Sequence, residues 1–285
     1  SDKITYALSG GYLNQDGIAL GSGFKRQTLR GNTDAQIKKW LKGGFNFSLA
    51  DSRQETHSNA GDIILTALLS QPSVAVHSAD ASFDGRDDHW MPDNPLALAE
   101  ITQNYNKKFN FRANTYLEAT IIKGLTFRTE LSGDYNNNKY YYYMPDYRFG
   151  IKTSDTRTSR WTATNTKYWS WRNIFTYTNT FGRHAINAMV GQEMSHNHYE
   201  TQVVSATGFP SNSATDPSAG SNDNSTPVGY QDNNSLFSYF GRAYYCYDDR
   251  YLATFTLRRD GSSNFADGNR WGWFPSAALA WRVSS

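Results

Sequence analysis

Apolar and polar residues alternate along most of the chain, and this two-residue period predicts β-strands with one apolar and one polar face. In residues 111–121 the odd positions are mainly apolar and the even positions mainly polar. After the dipeptide Lys123-Gly124 the alternation resumes over residues 125–135. The charged side chains on the polar side of these two runs are Arg112, Glu118, Arg128, Glu130 and Asp134. The two runs predict a β-hairpin with a tight turn.

The same alternation predicts ten strands. They are expected near residues 3–13, 25–35, 40–51, 105–121, 125–141, 163–180, 184–202, 234–247, 251–259 and 271–283. Short and long connections follow one another in turn. The short ones are 36–39, 122–124, 181–183 and 248–250, and the long ones are 14–24, 52–104, 142–162, 203–233 and 260–270. One end of an up-and-down sheet would therefore carry tight turns and the other extended loops, as in outer-membrane barrels.

The length of the predicted strands indicates a wall that crosses a membrane. Most of them exceed the usual strand length of about 5–6 residues, and about 9–11 tilted residues are enough to cross a bilayer. We therefore expect an all-β fold, namely an antiparallel up-and-down transmembrane β-barrel segment of about ten strands with long extracellular loops.

Two short helices are expected in the longest connection. Residues 61–69 are largely apolar without strand alternation, and residues 93–99 place Asn94 as an N-cap before Pro95 at the first helical position. The connection 203–233 is rich in Ser, Asn, Asp, Gly and Pro. It is expected to be an irregular surface segment.

Composition excludes several other classes of protein. The mean hydropathy is −0.67, and no apolar run approaches the roughly 20 residues of a membrane-spanning helix. Aromatic residues make up 15% of the 285 residues and the net charge is only +2, which is unlike a disordered segment. With 28 basic and 26 acidic residues, no nucleic-acid partner is expected. The single cysteine, Cys246, allows neither an internal disulfide nor a Cys-rich zinc site.

Aromatic rings lie beside the predicted tight turns. They are Trp40, Phe181, Tyr245, Tyr247 and Tyr251. Tyr and Trp favour a membrane interface because an apolar ring and a polar edge meet different surroundings there. The pattern is typical of an aromatic girdle. The alternative is that these rings pack in the core of a soluble β-sandwich, and the alternating loop lengths favour the barrel.

Side chains with catalytic or metal-binding chemistry form no recognisable site in the sequence. His196 and His198 share one face of a predicted strand, but a third metal ligand is not evident. Residues 84–89 offer carboxylates without the regular spacing of an EF-hand loop. We expect no catalytic residue, no metal and no cofactor.

Several motifs in the C-terminal part carry a family resemblance. They are Ser238-Tyr239-Phe240-Gly241-Arg242, Asp249-Arg250-Tyr251-Leu252, Arg258-Arg259-Asp260-Gly261-Ser262-Ser263-Asn264-Phe265, Asn269-Arg270-Trp271-Gly272 and Phe274-Pro275-Ser276. Earlier segments such as Gly208-Phe209-Pro210 agree with them. In these motifs the chain resembles the barrel of SusC/RagA-type TonB-linked (TonB-dependent) outer-membrane transporters.

The resemblance implies that residues 1–285 are a middle section of a β-barrel wall in the bacterial outer membrane. Transporters of this class have about 22 strands around a plugged lumen, so the plug, the TonB box and the remaining strands are expected to be absent from this chain. The first residues show no signal-peptide pattern, which fits an excised portion. The implied partners are a SusD-like surface lipoprotein, the TonB complex through the absent parts, outer-membrane lipid, and an oligosaccharide or peptide substrate.

Two groups of side chains are candidates for solute contact. Aromatic rings stack against sugars and peptide side chains, and the group expected at the outer mouth is Tyr140, Tyr141, Tyr142, Tyr143 and Trp161. An outer interfacial girdle explains these rings equally well. The group expected to line the lumen, in contact with water, the plug or the solute, is Arg112, Glu118, Arg128, Glu130 and Asp134.

The family motif itself is expected to have a structural role. Its members are Arg258, Arg259, Asp260, Gly261, Ser262, Ser263 and Phe265. Asp hydrogen-bonds its own backbone two residues on and Gly adopts positive φ, so residues 259–263 have the composition of a turn. We expect the strand to leave the membrane there.

Two functional hypotheses remain open at this point. The leading one is an outer-membrane active transporter that imports a bulky nutrient, a glycan or a peptide, with TonB-derived energy. The alternative is a soluble or surface-exposed β-sandwich module that binds carbohydrate through exposed aromatic rings. Periodicity does not distinguish an apolar face that meets lipid from one that meets another sheet. Two stacked layers of strands would support the alternative.

Overall fold

The main element of the computed structural model is an antiparallel sheet of ten strands. The residues described are 3–56, 60–80, 82–85, 94–150, 152–221 and 228–283. The strands are β1 (Ile4–Asp16), β2 (Gly23–Lys38), β3 (Leu41–Glu55), β4 (Gln103–Ile122), β5 (Leu125–Met144), β8 (Thr158–Phe181), β9 (His184–Thr207), β10 (Val228–Tyr247), β11 (Tyr251–Ser262) and β12 (Trp271–Trp281), and a small hairpin of β6 (Tyr147–Phe149) and β7 (Lys152–Ser154) lies between β5 and β8. Each main strand pairs with the next along the chain. The predicted up-and-down topology is confirmed.

The ten strands form a single layer. Large apolar side chains along them stay open, since Leu8, Val190 and Leu279 are 70%, 61% and 87% exposed. A β-sandwich would bury such side chains between two sheets. The sheet is not closed within the described residues, because β1 and β12 each have one edge without a partner strand there. This is the architecture of a piece of barrel wall, whose apolar side faces lipid.

The strand register confirms the two faces expected from the alternation. Arg112 lies opposite Asp134 and Glu118 lies opposite Arg128 on paired strands β4 and β5. Directly opposed residues of a ladder lie on the same side of the sheet. The five predicted polar positions therefore share one side, here called the polar face, and the alternate positions form the apolar face.

Several strands run further than the sequence predicts. β9 continues to Thr207 and β10 begins at Val228, so the expectation of an irregular segment throughout 203–233 is wrong at both ends. The pairing of Val203 with Val228 shows the reason. Two neighbouring strands that extend together satisfy each other's backbone groups, whatever the polarity of their side chains.

The family motif does not form the predicted turn. Arg259, Asp260 and Gly261 lie within β11, where Gly261 pairs with Trp271 of β12, and the turn comes after Ser262. A Cβ on Gly261 would stand 2.9 Å from the Trp271 ring. This glycine therefore allows a ring to lie flat on the backbone rather than providing a positive φ.

Tight turns close the short-loop end of the sheet. Gly124 and Gly182 have φ of +84° and +61°, and Asp248 and Asp249 have φ of +55° and +51°. Glycine adopts this left-handed region without strain, and Asp tolerates it better than most residues. The prediction of tight turns at these three places is confirmed.

The long-loop end carries the short helices. They are α1 (Ala60–Leu69), α2 (Pro95–Ile101) and a 3₁₀ helix (Pro217–Ala219). Asn94 caps α2, with its side-chain oxygen accepting from the amides of Leu96 and Ala97 at 3.1 Å each, as predicted. None of the helices in the described part of the chain is long and apolar enough to span a membrane.

Buried apolar side chains concentrate at this same end. They include Ala97, Ala99, Tyr143, Phe149, Ala206 and Phe209. The wall itself contributes little to a core because a single layer leaves both faces open. The long connections thus form a small packed cap at one end of the wall. One face of the wall itself is expected to contact lipid.

Candidate functional site

The polar face of β4 and β5 carries a network of charged and amide side chains in two clusters, one at Asp134 and one at Glu130 and Arg128. Arg112 donates to Asp134, with 2.6 Å between Nε and Oδ2. The amide of Asn114 donates to Glu130 at 2.9 Å and to the hydroxyl of Ser132 at 2.7 Å. Facing residues on paired strands are close enough for such contacts, with Cβ atoms about 4.5–5.5 Å apart.

Arg128 is at the centre of the second cluster. Its guanidinium lies 3.6 Å from Glu118 and 3.1 Å from Glu130, and its Cζ stands 3.8 Å from the centre of the Tyr116 ring. The Tyr116 hydroxyl donates to Asp34 of β2 at 2.6 Å. All five charged residues predicted for this face form ion pairs with one another, Arg112 with Asp134 and Arg128 with Glu118 and Glu130. Partly exposed pairs of this kind contribute about 0–1 kcal/mol each, so the network orders the surface more than it stabilises the wall.

A second charged group occupies the polar face of β8 to β11. Arg172 lies 3.1 Å from Glu193, and Arg258 lies 4.0 Å from the same carboxylate. Arg258 also reaches Asp260 at 2.7 Å and donates to the buried hydroxyl of Ser238 at 2.9 Å. The polar face thus presents paired charges of both signs along much of the sheet, a surface able to bind water or another polar surface.

The four consecutive tyrosines are divided between the faces. Tyr140 and Tyr142 lie on the polar face, and Tyr141 and Tyr143 on the apolar face, because successive strand residues point in opposite directions. The Tyr141 ring contacts the Trp161 ring edge-on, with 5.1 Å between centroids. The cavity beside these rings measures about 100 Å³, below the range of about 300–1,000 Å³ for ligand pockets.

Arg157 joins two of the long connections. It donates two hydrogen bonds to Asp146, from Nη2 at 2.7 Å and from Nε at 3.2 Å. It also donates to the carbonyl of Phe209 at 2.8 Å and to Asn212 at 2.9 Å. The Phe209 ring meets Tyr143 edge-on at 5.8 Å. The β5–β8 and β9–β10 connections are therefore held as one body.

The connection between β3 and β4 joins the same body. The Phe83 ring lies 6.0 Å from Phe149 of β6, and a Cβ on Gly85 would stand 2.1 Å from the Phe149 carbonyl oxygen. The amide of Asn94 donates to the carbonyls of Val76 and Asp84 at 2.9 and 2.8 Å. Three long connections thus make a single folded cap at the long-loop end.

A small turn in this cap contains Asp80, a carboxyl group outside the wall whose pKa is shifted. The hydroxyl and the amide of Ser82 donate to Asp80, at 2.7 and 3.1 Å. These hydrogen bonds lower the pKa of the Asp80 carboxyl. Since the group is fully exposed, this is ordinary turn chemistry and not a buried catalytic carboxylate.

The histidines face hydrogen-bond partners on the neighbouring strand. His196 Nδ1 lies 2.9 Å from the Ser235 hydroxyl and His198 Nδ1 lies 2.7 Å from Asn233. Within the ranges that the structure covers, no three potential metal ligands come together. Residues 86–89 of the acidic segment considered for calcium lie outside those ranges.

Two belts of aromatic rings bound the apolar face. Near the tight turns Tyr251 stacks on Trp281, with 6.3 Å between centroids, and near the long loops Tyr239 stacks on Trp271 at the same distance. Along β11 the two belts are about ten residues apart, or roughly 33 Å of strand at about 3.3 Å per residue. A tilt of about 40° reduces this to about 25 Å, the height of the apolar band of an outer-membrane barrel.

Comparison with known proteins agrees with this geometry. No family model matches the chain. It is 31% identical over 296 residues to TonB-dependent receptor P3 of Formosa agariphila, covering 100% of this chain and 29% of the receptor, and 27% identical over 306 residues to the TonB-dependent receptor SusC of Bacteroides thetaiotaomicron, covering 99% and 30%. The RagAB peptide importer in its open-open state superimposes with a TM-score of 0.83 at 24% identity, over 97% of this chain and 32% of that one.

The resemblance to SusC/RagA-type TonB-dependent receptors is confirmed. The chain spans about three tenths of the length of the curated relatives it matches, and it has the fold of a section of their outer-membrane barrel. The aligned relatives are receptors and transporters rather than enzymes. At 24% identity the RagAB neighbour supports the fold alone.

In this section of barrel wall the paired arginines of the motif serve opposite faces. Arg258 takes part in the polar-face network described above, whereas Arg259 lies on the apolar face with its Cζ 4.6 Å from the Trp271 ring and 5.1 Å from the Trp273 ring. Cation–π contact keeps this guanidinium at the aromatic belt near the long loops. Each of the two arginines thus has its own partners on its own side of the strand.

Two features of this wall lie outside the sequence predictions. The first is the pair Arg172 and Glu193, for which alternation with apolar neighbours on β8 and β9 is a usable signal. The Arg157 cluster joins residues from separate connections. No local pattern in the sequence marks such a contact.

Proposed function

We propose that residues 1–285 form part of the wall of a receptor that imports a bulky nutrient, a glycan or a peptide, across the outer membrane with energy from TonB. The carrying observation is the single-layer wall, with an apolar band between two aromatic belts on one face and a charged network on the other. Relatives named TonB-dependent receptors support the energy source. The name of the RagAB neighbour, a peptide transporter, supports a bulky solute.

In this proposal the polar face borders the lumen. Arg112, Glu118, Arg128, Glu130 and Asp134 would contact a plug, water or the passing solute. Their mutual ion pairs support this role, because paired charges keep a polar surface wet without attracting one sign of solute strongly. Tyr140 and Tyr142 lie on the same face nearer the long loops, where their rings would contact solute at the outer mouth.

The remaining components belong to parts of the protein outside this chain. We assign the plug, the TonB box and the remaining strands to them, and a SusD-like surface lipoprotein to the outer mouth. The folded cap held by Arg157 and Asn94 supplies a defined surface at that mouth. No catalytic step is part of the proposal.

Fractionation and uptake of the full-length receptor test the proposal. A deletion strain complemented with the receptor gene is expected to regain growth on one class in a panel of glycans and peptides, with the protein in the outer-membrane fraction. The double variant Arg128→Gln/Glu130→Gln should alter that growth while receptor level and membrane insertion stay the same. Leu131→Val, on the opposite face of the same strand, should not. A receptor recovered in the soluble fraction, or growth independent of the receptor on every solute, contradicts the proposal.

A further inference from the structure

Four basic residues form a straight row across four adjacent strands on the apolar face. Lys25 pairs with Arg53, Arg53 with Lys107, and Lys107 with Lys139, on strands β2, β3, β4 and β5. All four side chains are exposed. We call them the basic row. Their neighbours in sequence, such as Arg26 and Lys108, point to the polar face and do not belong to it.

The basic row is unfavourable by itself. Like charges directly opposite one another destabilise a pair of strands, and here three successive pairs oppose like charges. Arg53 has a carboxylate partner in Glu55 at 3.0 Å, and Asp51 lies on the same face one step closer to the membrane. None of the three lysines forms an ion pair with another residue in the described part of the chain. The row therefore has more positive charge than the protein neutralises.

Aromatic rings hold part of the row in place. The Arg53 guanidinium lies over Tyr105, with Cζ 4.2 Å from the ring centre. Lys107 Nζ stands 5.5 Å from the same ring and 5.7 Å from that of Tyr141. Contact with a ring face orders a cation without neutralising it. The positive charges are thus positioned but still available to an anion.

An apolar row runs parallel to the basic row at a fixed spacing. Each strand carries an apolar or aromatic residue four positions nearer the tight turns, and these residues also pair with one another: Leu29, Leu49, Phe111 and Tyr135. Four residues span about 13 Å of strand, or about 10 Å across the membrane at a tilt of about 40°. On each strand the cation therefore lies about 10 Å farther from the tight-turn end of the membrane than its apolar counterpart.

We propose that the basic row binds the phosphate groups of an anionic lipid in the outer leaflet. The acyl chains of that lipid would lie against the apolar row, and its phosphorylated headgroup would reach the four cations. Charge complementarity and the spacing of the two rows identify this occupant. The inference depends on the apolar face meeting lipid and is independent of which solute the receptor imports.

Native mass spectrometry of the full-length receptor tests the proposal, with bis-phosphorylated lipid A, phosphatidylcholine and inorganic phosphate as separate probes. Lipid A is expected to bind and phosphatidylcholine is not, and inorganic phosphate should not displace lipid A at equal concentration. Each basic residue near an anionic membrane surface strengthens attachment about fivefold. The variant Lys25→Gln/Arg53→Gln/Lys107→Gln/Lys139→Gln should therefore lose more than about a hundredfold in lipid A affinity.

The matched control is Arg26→Gln/Lys108→Gln, which removes neighbouring charges from the polar face and should bind lipid A normally. If the fourfold variant does not insert, the single variants Lys107→Gln and Lys139→Gln decide the matter, each with an expected loss of about fivefold. Equal lipid A binding by the fourfold variant and the native receptor overturns the inference. Binding of inorganic phosphate as strong as that of lipid A also overturns it. A third contradictory result is a fourfold variant that loses association with a second protein but keeps its binding of lipid A. Normal solute-dependent growth alongside such a result would leave the proposed import function intact.

Discussion

The conformation of Gly124 depends directly on the absence of a side chain. Its φ is +84°, and an added Cβ would stand 2.5 Å from the carbonyl oxygen of Thr178. Gly124→Ala is expected to destabilise the assembled receptor by about 1–2 kcal/mol or more, since the left-handed conformation alone costs that much. Urea unfolding of the full-length receptor in liposomes measures the loss.

The same strand pair contains a matched control. Gly133 lies in β5, and nothing stands within 4 Å of a Cβ built on it. Gly133→Ala should therefore change the free energy of unfolding by no more than about 0.5 kcal/mol. Equal effects of the two substitutions would show that the turn at Gly124 is not under conformational constraint.

Asn94 has several simultaneous roles. Its side chain caps α2 and also donates to the carbonyls of Val76 and Asp84. Asn94→Ala should open the cap locally, with a loss of about 2 kcal/mol from the helix cap and the two orphaned carbonyls. Faster amide exchange over residues 94–101 would show this, whereas Asn264→Ala in an exposed turn should leave exchange there unchanged. An unaltered exchange rate in the first variant would contradict the role of Asn94.

At the scale of elements, the two faces of β5 should respond oppositely to charge. Leu131 lies within the apolar band and is 52% exposed on that face, while Ser132 beside it belongs to the polar network. Leu131→Arg is expected to cost about 2–4 kcal/mol, as for an arginine at the bilayer midplane of a barrel. Ser132→Arg should cost less than about 1 kcal/mol. Refolding of the full-length receptor into liposomes over a urea series compares them, and a reversed order would mean that the faces are assigned the wrong way round.

The elements also show how far the sequence predicts the fold. Alternation places Leu131 and Arg128 on opposite faces because lipid and water impose a two-residue period. The two-residue period fades on the loop side of the aromatic belt near the long loops, where both faces are polar. The sequence therefore does not reveal that β9 continues to Thr207 or that β10 begins at Val228. The motif at Gly261 misleads for a related reason. Its residue types suit a turn, and only the ring of Trp271 across the ladder explains the glycine.

The candidate site likewise has one part that the sequence predicts and one part that it does not. The Arg128 network could be predicted because its members lie on the polar side of two successive strands joined by a tight turn. Arg157, Asp146 and Phe209 meet only after two connections fold over the end of the sheet. Contacts set by tertiary packing between loops leave no period in the sequence.

For the molecule as a whole, the open edges decide its behaviour as a separate chain. Each of the edge strands, β1 and β12, presents unpaired backbone groups on one side within the described residues. An unsatisfied backbone group costs several kcal/mol in lipid. Residues 1–285 produced alone are therefore expected to aggregate or to pair edge to edge instead of inserting as a monomer. A heat-modifiable monomer of this chain in liposomes would contradict the expectation, and the full-length receptor treated identically is the control.

A wall one layer thick also has a consequence for how such receptors diverge. Side chains that point into a fluid on either side need not interlock with partners as they do in a close-packed interior. Backbone ladders set the shape, and each outward position has only to match the polarity at its depth. Sequences can therefore drift far while the architecture persists, in accord with a TM-score of 0.83 at 24% identity. The positions least tolerant of substitution are those where atoms are closely packed, namely the glycine turns at one end and the folded cap at the other.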